Sequence, residues 1–172
     1  MSRVPGVVIG IVKKLDDPDG QGRILVDMPV MPGRTRSAWA PIATLMAGGG
    51  RGAFFMPEPE DEVLVAFENG HVDRPYIVGF LWNGQDKPPS SHPRERMLRS
   101  LNGHTIRLLD STPNASGAGA VVIEDANGNV ISMSNGKIRI QAVSLLELDA
   151  PIISLSGPGW RRVLSCIDKT AI

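Results

Sequence analysis

Three histidines are the first residues in this chain that could hold a metal ion. No two of His71, His92 and His104 are spaced by two or four residues, the intervals that place two imidazoles on one metal. We therefore predict no metal site within one chain. His104 keeps one alternative, in which copies of this side chain from several chains face each other on a symmetry axis.

Acidic and hydroxyl side chains do not assemble into a predicted active site either. Glu58, Glu60, Asp61 and Glu62 form an acidic cluster that could supply the two carboxylates of a glycosidase, but no other feature indicates a sugar cleft. The serines of SMSNG and SLSG lack the GxSxG surroundings of an activated nucleophile. We predict that the chain is not an enzyme and has no catalytic residues.

A glycine run could form a phosphate-binding loop. Gly48 to Gly50 with Gly52 is such a run, but no Lys-Ser/Thr pair and no helix-forming segment follow it. We predict no bound cofactor and interpret the run as a connection between two strands, with a contact loop to a neighbouring protein as the functional alternative. The single cysteine, Cys166, excludes an internal disulfide, and its role stays open.

Composition narrows the class of protein. Lys plus Arg and Asp plus Glu both number 18, so the formal net charge is zero and there is no basic stripe to bind nucleic acid. Nineteen glycines and fourteen prolines separate short apolar runs, a pattern typical of an all-β chain. With neither a run of roughly 18 apolar residues nor a signal peptide, we expect no transmembrane segment and assembly in the cytoplasm.

The first half of the chain predicts five strands and no helix. They are residues 6–16, 23–30 and 37–46, then Glu62 to Phe67 and Tyr76 to Leu81. This pattern favours an OB-fold barrel over residues 1–88, with Trp39 as a core anchor and most other aromatic side chains also inside. An OB-fold that binds an oligosaccharide or a nucleic acid remains the alternative, although no Lys/Arg groove accompanies the aromatic residues.

A Pro- and Ser-rich linker is predicted at residues 89–97, followed by a ladder of short strands at residues 98–157. From Val121 to Gly157, apolar and polar residues alternate in runs broken every seven or eight residues. One chain has nothing to place against the apolar side of such a ladder, so we predict a self-associating β-prism or β-helix. Its expected inward residues are Ile106, Leu108, Val121, Ile123, Ile131, Met133, Ile138, Ile140, Leu146, Leu148, Ile153 and Leu155.

The last fifteen residues, 158–172, break the ladder pattern and are predicted to form a tip segment. Trp160, Arg161 and Arg162 could cap the apolar end of the ladder, with the arginines over the indole or paired with C-terminal carboxylates. A docking site for another protein is the competing interpretation.

Several motifs together resemble one family of proteins. The strings DPDGQGRILVDMPV, SAWAPIA and PEPEDEVLVAFENGHVDRPYIVGFLWNG are similar to the OB-fold domain of the phage baseplate assembly protein V family and of VgrG-type spikes. RSLNGHTIRL and VVIEDANGNVI resemble the start of the trimeric β-helix that follows this domain. The resemblance covers nearly the whole chain up to Gly157.

The resemblance implies a structural protein at the tip of a contractile tail or injection system. Three chains would wind into a needle, with the inward residues as the trimer core, and sheath contraction would drive it through the target cell envelope. A baseplate hub protein would lie above the OB-fold, and a PAAR-like tip protein is a candidate partner at the C-terminal end. The chain would belong to a virion baseplate or an injection-system particle assembled in the bacterial cytoplasm.

The sequence also departs from the larger members of that family. It has no lysozyme-like insertion after the barrel, no HxH pair near the C-terminus and no large N-terminal hub segment. The resemblance therefore implies a hub and a spike formed by separate proteins.

Overall fold

A computed structural model describes residues 3–31, 33, 36–113 and 115–165. These residues form β-strands joined by turns, with a 3-10 turn at Glu68–Gly70 and no α-helix, so the all-β prediction is confirmed. Within this part of the chain, no helix has the length and apolar character needed to cross a bilayer. The chain consists of two compact units, Met1–Pro88 and Pro89–Ile172, and the residues of each unit contact mainly one another.

The first unit is a five-stranded barrel with a short hairpin added. Its strands are β1 (Val7–Lys14), β2 (Ile24–Asp27), β3 (Ser37–Ala40), β4 (Ala47–Gly48), β5 (Arg51–Gly52), β6 (Glu62–Phe67) and β7 (Pro75–Leu81). The main sheet runs β3-β2-β1-β6-β7 with antiparallel neighbours, and β4 pairs only with β5. The predicted OB-type strands are thus present, and the glycine run forms the β4–β5 hairpin.

A parallel bridge between Ile42 and Ile77 closes the barrel. The Ala43 N–H donates to the Ile77 carbonyl at 2.8 Å, and the Ile77 N–H donates to the Pro41 carbonyl at 2.9 Å. These bonds pair the segment after β3 with β7. Because these backbone hydrogen bonds join the two ends of the sheet, the sheet closes and has an enclosed interior.

Alternate residues of the barrel strands fill that interior. Gly10 lies where β1 crosses the core, and a Cβ there would be 3.0 Å from Cγ2 of Val65, so a larger residue would press against the Val65 side chain. The buried hydrophobic side chains of the described residues all belong to this unit: Val12, Ile24, Val26, Met28, Met31, Ala40, Val63, Val65, Phe67 and Ile77.

The expectation that most aromatic side chains lie in the core is wrong. Phe67 is buried, but Trp39 is only half-buried. Period-two patterns identify which strands exist, but they do not fix which side of a barrel strand faces inward. The aromatic side chains that lie largely in solvent are Phe54, Phe55, Tyr76, Phe80 and Trp82.

An ion pair fixes the turn between β1 and β2. The carboxylate of Asp17, 3% exposed, accepts backbone N–H groups from Gln21 at 2.9 Å and Arg23 at 3.1 Å. It also accepts from Nη2 of Arg23 at 2.7 Å. The Arg23 guanidinium holds the pKa of Asp17 well below its ordinary value of 3.8. The DPDGQGR string is therefore a structural turn.

The second unit contains a five-stranded antiparallel meander and a hairpin. The meander strands are β8 (Glu95–Arg99), β9 (Thr105–Leu109), β10 (Ala120–Glu124), β11 (Val130–Ser134) and β12 (Lys137–Gln141), each paired with the next. Asn135 and Gly136, both at positive φ, form the tight β11–β12 turn. The hairpin consists of β13 (Ile152–Gly157) and β14 (Trp160–Ser165).

The meander differs from the predicted ladder in its pairing. A ladder completed by other copies implies strands that pair between chains, but β9, β10 and β11 each have neighbours on both edges within one chain. Short turns explain the difference, because Asp125 to Asn129 and Asn135-Gly136 reverse the chain locally. The trimeric β-helix thus remains a prediction.

Two predicted boundaries and one predicted strand also need correction. The linker predicted at residues 89–97 overlaps β8, which begins at Glu95. The strand expected around Leu146 and Leu148 is absent, since residues 142–151 form no strand. The limit between shaft and tip, at Gly157, falls in the turn of the β13–β14 hairpin, so residues 158–165 belong to the same hairpin as the end of the shaft. Cys166 and the remainder of the tip segment lie outside the described residues.

Candidate functional site: an uncovered apolar sheet face

Apolar side chains line up across all five strands of the meander. Residues opposite each other in an antiparallel pair point to the same side of the sheet. The register places one row on Leu98, Ile106, Ile123, Ile131 and Ile140, one residue from each strand. A second row two residues away contains Leu108, Val121, Met133 and Ile138, with Arg96 on β8. We call these nine apolar residues the apolar face.

The apolar face is largely exposed to solvent. Side chains of the first row are 42% to 53% exposed, and Ile138 is 70% exposed. A contiguous apolar surface of this kind on a soluble protein marks a site of association, because leaving it in water forfeits the favourable transfer of its side chains.

The opposite side of the same sheet carries most of its charged and hydroxyl side chains, together with the apolar residues Met97, Leu109, Val122 and Val130. Arg107 lies between two carboxylates, with Nη2 2.8 Å from Oε2 of Glu124 and Nη1 3.9 Å from Oε1 of Glu95. Ser132 lies opposite Arg139, so β11 and β12 continue the polar side. Such a sheet has one side suited to water and one side suited to an apolar partner.

The structure brings together eight of the twelve side chains predicted to point inward. Leu146 and Leu148 lie in a segment without a strand, and Ile153 and Leu155 share one side of β13. Leu98, which was not among the residues predicted to point inward, completes the first row because its partner on β9 is Ile106. The eight residues on the apolar face are Ile106, Leu108, Val121, Ile123, Ile131, Met133, Ile138 and Ile140. Their burial between copies stays a prediction.

The predicted tip residues lie at the closed end of the β13–β14 hairpin. The indole of Trp160 covers Gly157, where an added Cβ would be 2.5 Å from Nε1. Nε of Arg161 donates to Oγ of Ser154 at 3.0 Å, and Arg162 lies opposite Leu155. Arg161 is thus held by a neighbouring strand. The C-terminal carboxylates proposed for the arginines lie outside the described residues.

The histidines have structural roles in this structure. His104 Nδ1 accepts the Ala126 N–H at 3.2 Å, and His92 Nδ1 accepts the Arg94 N–H at 3.3 Å. His71 forms a backbone bridge with Arg3. In the described ranges, no three His, Cys, Asp or Glu side chains lie close enough together to hold a metal ion.

The acidic cluster stabilises a turn before β6. Glu60 pairs with Lys13 at 2.7 Å, and Oδ2 of Asp61 accepts the Glu58 N–H at 2.8 Å. Nδ2 of Asn83 donates to Oε1 of Glu62 at 3.2 Å. These contacts give three of the four carboxylates a structural partner, and Glu58 takes part through its backbone N–H.

Comparison with known proteins identifies the first unit. Residues 8–82 match the family model described as the type VI secretion system/phage-baseplate injector OB domain. Over 92 residues the chain is 28% identical to the type VI secretion system spike protein VgrG5 of Pseudomonas aeruginosa. That alignment covers 54% of this chain and 11% of the relative, so the chain matches about a tenth of that protein's length. The predicted resemblance to the OB domain of baseplate and VgrG-type proteins is thereby confirmed for residues 8–82.

Proposed function

We propose that this chain, whose residues 8–82 form an injector-type OB domain, is the central spike of a contractile tail or injection system. In this proposal three copies associate through the second unit, and the assembly pierces the target cell envelope when the sheath contracts. The observation that carries the proposal is the apolar face, which one chain leaves uncovered directly after a baseplate-type OB domain.

Burial of the apolar face requires other copies or another protein. Each fully buried aliphatic side chain contributes about 1.5 to 3 kcal/mol, so nine per chain represent a large driving force. The number three comes from the resemblance to trimeric spikes. Three sheets with their apolar sides inward would enclose a dry core and keep the Arg107 side in water.

This arrangement suits a part that must resist compression. A packed apolar interior is as dense as an organic crystal and deforms little. Backbone groups of β9 to β11 are already paired within each chain, so an applied force has few open strand edges to separate. The outer surface would carry Lys137 and Arg139 with the serines of β11, a strip of charged and hydroxyl side chains along two strands.

The other proposed partners come from the resemblance to baseplate spikes. We propose that the first unit contacts a baseplate hub and that the β13–β14 hairpin points towards the tip, where a PAAR-like protein could bind. Assembly would take place in the bacterial cytoplasm, before the particle meets its target.

Electron cryomicroscopy of particles from bacteria that produce this chain tests the proposal. We expect three-fold density on the particle axis below the hub in the wild type, and no such density when the chain is deleted. Complementation with Ile140→Asp should leave the axis empty, whereas the matched variant Ser134→Asp should restore the density. An axial spike that persists without this chain would rule the proposal out.

A further inference from the structure

Residues 143–149 have the pattern of a strand but form none in their own chain. Leu146 and Leu148 alternate with Glu147 and Asp149, as in a half-buried strand. The side chains of Leu145, Leu146 and Leu148 are 76%, 50% and 61% exposed. We call residues 143–149 the leucine segment.

The leucine segment is only partly covered by its own sheet. Leu145 and Leu146 line a shallow cavity together with Ile131 and Ile140 of the meander. Among the described residues, the contacts of the three leucines still leave half or more of each exposed to solvent.

The path of the backbone after β12 explains why the segment does not fold back along that strand. The Val143 N–H donates to Oδ1 of Asn129 at 2.8 Å, and the Val143 side chain lies beside Gly128. Both partners belong to the turn between β10 and β11. Val143 is therefore held at the end of the sheet, and among the described residues the outer edge of β12 has no neighbouring strand.

Charges on β12 and on the leucine segment are complementary. Lys137 and Arg139 are exposed on the polar side of β12, and Glu147 and Asp149 are exposed in the segment. Within the described residues, none of these four side chains makes an ion pair. A strand that aligned Leu146 and Leu148 with Ile138 and Ile140 would place the two carboxylates on the side of Lys137 and Arg139. In this alignment, β12 and the leucine segment would place apolar side chains together on one side of the sheet and opposite charges together on the other.

We infer that the leucine segment of one copy pairs as a strand with the free edge of β12 in a second copy of this chain. The inference rests on the proposed self-association and names the backbone contact through which it occurs. The free edge of β8 is the less suitable acceptor, because Arg96 on that strand already pairs with Asp110. The pairing would also cover an open edge that otherwise invites aggregation.

Disulfide trapping tests the pairing directly. In a Cys166→Ser background, Arg139→Cys is combined with Glu147→Cys or with Asp149→Cys, since the exact register is open. We expect at least one combination to form disulfides between copies and to give covalent trimers on a non-reducing denaturing gel, because cross-strand Cβ atoms come within reach of a disulfide. The matched control combines Ser132→Cys, one strand further in, with Glu147→Cys and should form no cross-link.

Charge reversal gives an independent measurement. Lys137→Glu with Arg139→Glu should reduce the trimeric fraction at least tenfold at low salt, and adding Glu147→Lys with Asp149→Lys should restore it. A trimeric wild type that gives neither cross-links nor a response to reversal would overturn this pairing while leaving the proposed function intact. A monomeric wild type would instead overturn the proposed function itself.

Discussion

The two units of this chain use the same alternation of apolar and polar residues with opposite results. In the first unit, the bridge between Ile42 and Ile77 closes the sheet, and alternate side chains become fully buried. In the second unit the sheet stays open, and in the described residues its buried side chain is the polar Thr105. The comparison indicates that an amphipathic sheet needs a partner to bury its apolar side when it does not close into a barrel within its own chain. We expect the first unit to be stable alone and the second to depend on association.

Placing a charge on the apolar face should have the largest effect. Ile140→Asp would force one carboxylate per chain into a dry interface, at a cost of several kcal/mol for each unpaired charge. We expect the variant to be monomeric by light scattering while the barrel remains folded. The matched variant Ser134→Asp adds the same charge on the other side of the sheet and should remain trimeric. Normal assembly of Ile140→Asp would show that the apolar face is not the interface.

A cavity in the barrel should affect the first unit alone. Ile77→Ala removes a fully buried side chain and should lower the free energy of unfolding of the barrel by about 2 to 5 kcal/mol. Val78→Ala, next to it on the exposed side of β7, should cost less than about 1 kcal/mol. Urea unfolding measures both values, and light scattering should show that both variants still assemble. Loss of assembly in Ile77→Ala would mean that the two units are not independent.

Acid should weaken the first unit through Asp17. Because the pKa of the folded carboxyl lies below its ordinary value of 3.8, the Arg23 pair stabilises the fold above that pH and is lost as the pH falls further. Asp17→Asn should therefore be less stable than the wild type at neutral pH, with the difference shrinking below about pH 4. Thermal unfolding as a function of pH measures this, and a constant difference across the range would contradict the assignment.

Removal of one exposed charge should have the smallest effect. Arg139→Ala takes away a cation on the polar side of β12, and an exposed ion pair contributes about 0 to 1 kcal/mol. We expect the variant to be trimeric and nearly as stable as the wild type in thermal unfolding. Complete loss of assembly would show that Arg139 is buried in the complex.

Strand alternation predicted the fold more reliably than it predicted the environment of single residues. The five barrel strands and most of the apolar face follow from period-two patterns, which report on which residues share a side. Trp39 was placed wrongly because the pattern does not say which side a barrel encloses. The pairing of β9 to β11 within the chain depends on turns such as Asn135-Gly136, whose local reversal the ladder interpretation did not use.

The interface itself is the part that sequence patterns could not decide. Leu98 is the first residue of the predicted ladder and was not among the predicted inward residues, yet the register of β8 places it in the first apolar row. Leu146 and Leu148 have the pattern of a strand, but a strand needs a neighbour, and the described part of the chain supplies none. Partner strands are not visible in the sequence of one copy.

The molar mass of the full chain in dilute solution tests the central claim most directly. Light scattering or native mass spectrometry should give about three times the 18.4 kDa mass of one chain, and the value should hold on dilution. A stable species of 18.4 kDa with a folded second unit would contradict the account, because the apolar face would then remain in water without a partner.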